Sequence, residues 1–201
     1  MTGQAYSSHA MPHLLLVIAA TLLSAVALSD AERTRVLAGE VLVATAADGA
    51  DGAGPPAVRA AIRIDAAPER VFAVMTSCAE ALRFVRRLES CRVVGAAQDG
   101  SYELIEQVVN LRWYLPRIRF VFRADYERPH EVRIRNVSGG LREHTARWTL
   151  EPLDGGAATL VGYRVRVVPR YPVPEWLVLA ALKRDLPDTL RELAARCLAR
   201  P

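Results

Sequence analysis

The side chains that could do polar chemistry are few in this 201-residue chain, and their spacing suits none of it. A metal asks for several His, Cys or carboxylate ligands at short, regular intervals. Beyond residue 29 only His130 and His144 are available, fourteen positions apart, with no Cys or second His at ligand spacing. No metal site is expected. Covalent catalysis asks for a nucleophile held beside a base. No Gly-x-Ser-x-Gly elbow occurs, and the grouping of Ser138, Glu143 and His144 is of a kind that any chain of this length offers by chance. No catalytic residue and no cofactor is expected. The chain has three cysteines, Cys78, Cys91 and Cys197.

Isolated polar groups among apolar ones carry more information. Tyr163 sits among Val161, Val165 and Val167, His144 leads to Trp148, and Asn110 follows Leu104, Glu106 and Val108 in alternation. A small-molecule pocket has mostly apolar walls and a few polar groups that orient the ligand. Tyr163 is the best hydrogen-bonding candidate on this reading; a core tyrosine is the alternative.

The elements that must position these residues follow from periodicity. Ser29-Asp30-Ala31-Glu32 reads as a capping box that opens a short helix ending near Gly39. Val41 to Thr45 and Val58 to Ile64 read as strands. Pro68 starts a helix with Val71, Phe72, Met75 and Cys78 on one face, and a second short helix covers Ala79 to Phe84. Leu88 to Val94, Ser101 to Leu111, Arg117 to Tyr126, Glu131 to Val137, Arg142 to Glu151 and Thr159 to Val168 then alternate as strands between Gly-, Asp- and Pro-containing turns. Such alternation means an antiparallel sheet with one covered and one wet face. On the wet side fall Arg117, Arg119, Arg123, Arg133, Arg135, Arg164 and Arg166. Asp125, Glu127, Glu131 and Glu151 interleave with them, so cross-strand pairing is expected rather than a lipid-binding patch. Last comes a long helix with Leu179, Leu182, Leu186, Leu190, Leu193 and Cys197 along one face, with Pro187 inside it. Cys197 is expected as a buried free thiol.

A curved sheet with a single long helix across its concave face makes an α+β fold. Two stretches stand out: Ile62-Arg63-Ile64-Asp65-Ala66-Ala67-Pro68-Glu69-Arg70-Val71-Phe72-Ala73-Val74-Met75, and Trp148-Thr149-Leu150-Glu151-Pro152-Leu153 followed by Asp154-Gly155-Gly156. With them the sequence resembles the START-like, or SRPBCC, superfamily of polyketide cyclase, lipid-transport and coenzyme Q-binding proteins, which implies the α+β helix-grip fold, a curved antiparallel sheet wrapped around a long C-terminal helix. The lead-in Leu37-Ala38-Gly39-Glu40-Val41 is similar to that of exported bacterial members. The resemblance spans roughly Val58 to Leu198. It implies binding or transport of a hydrophobic small molecule or lipid, and alternatively a cyclase or aromatase acting on a polyketide-like substrate. Fold alone does not choose between them.

Parity and helix phase place the expected pocket between sheet and terminal helix, lined by Phe120, Phe122, Trp148, Tyr163, Val165, Leu182 and Leu186. Its expected mouth carries Trp113, Tyr114, Tyr171 and Trp176, which also suit transient membrane contact. Cys78 and Cys91, at one end of the sheet, are expected to form a disulfide. Residues 1–29 read as a signal peptide or membrane anchor: Leu14 to Leu28 is too short for a comfortable span, and Ala25-Val26-Ala27 is a cleavable small-residue site. Residues 30–201 are then one ligand-binding domain, exported to the periplasm or secreted. The net charge of +4 is modest, and without a basic run or an aromatic RNA-binding signature no nucleic-acid partner is expected.

Overall fold

The computed structural model describes residues 28–47, 56–110 and 117–199. Most of the expected leader, and the tip carrying Trp113 and Tyr114, lie outside the described residues. Ser29 caps α1 (Asp30–Leu37): its hydroxyl accepts from the Glu32 N–H while the Glu32 carboxylate accepts from the Ser29 N–H. Strands β1 (Leu42–Ala47) and β2 (Pro56–Ile64) follow, then α2 (Pro68–Thr76) and α3 (Cys78–Phe84). Ser77 ends α2, and its hydroxyl accepts from the Glu80 N–H to start α3. Cys78 therefore opens α3 and does not close α2, because a serine able to cap precedes it.

Six strands run on from there: β3 (Leu88–Ala96), β4 (Tyr102–Val109), β5 (Ile118–Glu127), β6 (Glu131–Gly139), β7 (Leu141–Leu153) and, after a 3₁₀ turn at Asp154–Gly156, β8 (Ala158–Pro169). All eight strands pair antiparallel in the order β1-β2-β8-β7-β6-β5-β4-β3. Register shifts interrupt the β3–β4, β5–β6 and β7–β8 ladders. Bulges of this kind bend a strand and deepen its twist, which helps curve the sheet. At one of the tightest approaches, Gly139 adopts φ 102°, and a Cβ there would lie 2.4 Å from the Arg119 carbonyl oxygen.

The terminal helix α4 (Glu175–Leu198) runs unbroken through Pro187. It lies against β1, β2 and β8 and against both α2 and α3, while α2 and α3 reach from β7 and β8 across to β3. The second half of α4 is the better anchored. Leu190 and Leu193 are fully buried, Arg196 pairs with Glu80, and Arg70 donates to the carbonyls of Arg196, Cys197 and Ala199. That arginine satisfies carbonyls which a helix end otherwise leaves bare. Cys197 is a buried free thiol, as its place on the stripe suggests. On the wet face the arginines pair as expected: Arg92 and Arg119 with Glu106, Arg123 and Arg135 with Asp125, Arg166 with Glu143. Glu131 is buried between Arg133 and Arg147.

Candidate functional site

Strand alternation sends every second side chain of β4 to β8 toward the helices, and between the two layers lies a cavity of about 140 Å³. Its floor is Ile105 and Gln107 of β4, Phe122, Ala124 and Tyr126 of β5, Val132 and Ile134 of β6, His144 and Trp148 of β7, and Tyr163 of β8. Its roof is Met75 and Thr76 of α2, Ser77, then Cys78, Ala81 and Phe84 of α3 with Val85. Cys91 of β3 joins Cys78 at one corner in a disulfide, with the two Cα atoms 5.2 Å apart.

Of the residues expected at the pocket, Phe122, Trp148 and Tyr163 line this cavity. Phe120, Val165 and Leu186 are buried in the surrounding core, and Leu182 is half-buried against it. Tyr171 and Trp176 are exposed beside and within the first turn of α4. Trp113 and Tyr114 lie outside the described residues. The roof comes from α2 and α3, with no lining residue from α4, because α4 sits toward the β1–β2–β8 side of the sheet. Asn110 does not face inward. Its Nδ2 donates to Glu89 at 2.8 Å, and its backbone N–H donates to the Arg87 carbonyl. Both faces of β4 carry apolar residues, so alternation cannot pick the inner one. Pairing decides it by setting Ile105 beside Phe122 and Gln107 beside Phe120. Gln107, Tyr126 and the α2–α3 residues were not expected at the site; Tyr126 shares the parity of Phe122 and could have been read from it.

Aromatic contacts organise the floor. Trp148 stacks on Tyr163 with ring centroids 3.8 Å apart. The His144 ring meets Phe120 and Phe122 edge-on, each at 5.4 Å. His144 is only 8% exposed, and among the described residues its Nδ1 has no hydrogen-bond partner. Burial alone pulls its pKa down to about 4, so the imidazole is neutral at pH 7. Burial also raises the Tyr163 phenol. For Tyr126 burial acts first, and the hydrogen bond donated to Glu103 at 2.8 Å adds to it. Among the described residues no Arg, Lys, Asp or Glu lines the cavity, and no three His, Cys, Asp or Glu side chains gather as a metal would need. The arrangement can desolvate an apolar body and offer it neutral hydrogen-bonding groups.

Residues 64–194 match the family described as polyketide cyclase / dehydrase and lipid transport. The chain belongs to this family. Solved structures agree on the fold. A STAR-related lipid transfer protein from Xanthomonas axonopodis superposes with a TM-score of 0.66 at 18% identity, covering 79% of this chain and 94% of that one. Human STARD10 gives 0.64 at 12% identity, over 88% and 82%. The Zhui aromatase/cyclase from Streptomyces sp. R1128 gives 0.59 at 14% identity, over 70% and 92%. No curated protein matches the chain. At these identities the structural likeness is one of fold, shared by lipid carriers and cyclases alike.

Proposed function

We propose that this family member binds and carries a hydrophobic small molecule or lipid, and that it does so after export. The observation that carries the reading is the cavity, walled mostly by apolar and aromatic side chains, with no charged residue among the described residues on its lining. A poorly filled space between packed layers costs contact energy unless something fills it. A ligand that hides about 200 Å² of apolar surface there gains about 5 kcal/mol before the costs of association. Export is supported by the apolar run Leu14 to Leu28 with its small-residue site, and by the Cys78–Cys91 bond, since disulfides persist in oxidising compartments. Among the described residues no helix is long and apolar enough to cross a membrane. Exposed Tyr171 and Trp176 suit a brief contact with the membrane that supplies or receives the ligand.

The test uses protein recovered from its own host's export compartment. Native mass spectrometry is expected to find a co-purifying apolar compound. Toluene, followed by calorimetric titration, is expected to bind and to be excluded by Ala124→Phe, which fills the cavity. Ligand-free protein whose toluene uptake is the same in both forms would rule the reading out. The cyclase reading draws on His144, a neutral base at the cavity wall. It would show as turnover of a poly-ketone substrate that His144→Phe abolishes.

A further inference from the structure

The lining of the cavity narrows the class of ligand, provided the cavity is the ligand site. Size is the first constraint. At about 140 Å³ the space is close to the roughly 150 Å³ apolar cavity known to take one benzene ring. Shape is the second: the Phe122 ring and the stacked pair of Trp148 and Tyr163 line it. Polarity is the third. His144 lies on the wall, nearly fully buried, with an Nδ1 that no protein group satisfies among the described residues. A buried polar atom left without a partner carries a desolvation cost that a ligand can relieve. A neutral imidazole has one donor and one acceptor nitrogen, and a hydroxyl, which both donates and accepts, fits either tautomer. A carboxylate or phosphate fits poorly, because no cation among the described residues lines the cavity to offset its buried charge.

We propose that the cavity takes a neutral single-ring compound bearing a hydroxyl group, a phenol in the simplest case, with its ring against Phe122, Trp148 and Tyr163 and its hydroxyl on the His144 imidazole. His144 is then a specificity-determining residue, and the rings of Phe122, Trp148 and Tyr163 supply affinity.

Calorimetric titration of the full protein with phenol, toluene and benzoate at pH 7.5 tests this. Phenol is expected to bind about three- to tenfold more tightly than toluene, the worth of one net hydrogen bond, and benzoate is expected not to bind. His144→Phe should bring phenol down to the level of toluene while toluene holds within about twofold, and His144→Gln, which both donates and accepts, should restore the preference. Equal affinity for phenol and toluene in the wild type overturns the proposal, as does a phenol preference that survives His144→Phe, or benzoate binding as tightly as phenol. If His144→Phe does not fold, the imidazole ¹⁵N resonances of the wild type decide: phenol must shift them and toluene must not. Toluene uptake separates the two levels of the argument. Toluene that binds as tightly as phenol sinks the hydroxyl-bearing class and leaves the hydrophobic-binding reading standing. A protein that takes up neither ring compound and carries no apolar compound from its host sinks both.

Discussion

Removing the Cys78–Cys91 bond measures how far a covalent tie holds the roof of the cavity to its floor. Cys78 opens α3 and Cys91 lies on the edge strand β3, thirteen positions later. In the chain-entropy treatment, closing a loop of this length removes about 10 cal/mol/K from the unfolded ensemble, about 3 kcal/mol at 25 °C. For a domain of this size each kcal/mol moves Tm by about 2–4 °C. The double variant Cys78→Ser, Cys91→Ser should therefore melt about 6–12 °C below the oxidised wild type. The assay is thermal unfolding followed by circular dichroism, with and without a reducing agent. Reduction should bring the wild type down to the level of the variant and leave the variant unchanged, since its remaining thiol, Cys197, is buried and unpaired. A variant within about 2 °C of a wild type shown by thiol titration to be oxidised would refute the entropic argument. Equal effects of reductant on both proteins would refute the assignment of the effect to this bond.

Two further outcomes follow from burial. The His144 pKa falls from 6.5 to about 4 on folding. Its contribution to stability is therefore complete above pH 6.5 and declines as pH drops toward 4, by about 2 kcal/mol between pH 7.5 and 5. Urea unfolding across that range should show the decline in the wild type and lose it in His144→Gln, and an unchanged slope would contradict the linkage. In α4, Trp176 is 68% and Leu177 43% exposed, whereas Leu190 and Leu193 are fully buried. Amide hydrogen exchange should be faster over residues 177–182 than over 190–197, and equal protection would show α4 to be one rigid unit.

Much of this protein could be read along the chain because its determinants are local. Alternation in β5 to β8 follows from the two-residue period of a strand, and it placed Phe122, Trp148 and Tyr163 inward and the arginines outward. The Ser29 capping box, Pro68 at the start of α2 and the apolar stripe of α4 are likewise written within a few residues of where they act. The disulfide was legible because only thirteen positions separate its halves.

Other features had no local signature. The inner face of β4 was ambiguous while both faces were apolar, and only pairing with β5 chose Ile105 and Gln107 over Glu106 and Asn110. The helix that roofs the cavity depends on where α4 comes to rest across the sheet, a matter of packing between elements more than a hundred residues apart. Helix phase says which side of α4 is apolar, but not which strands it will cover. His144 shows the same division: the sequence placed it on the inward face beside Trp148, while the fold set it against Phe120 and Phe122 and left its Nδ1 without a protein partner. Local periodicity determines which way a side chain points. What it meets there is decided by the tertiary fold, because the partners come from strands and helices that only long-range packing brings together.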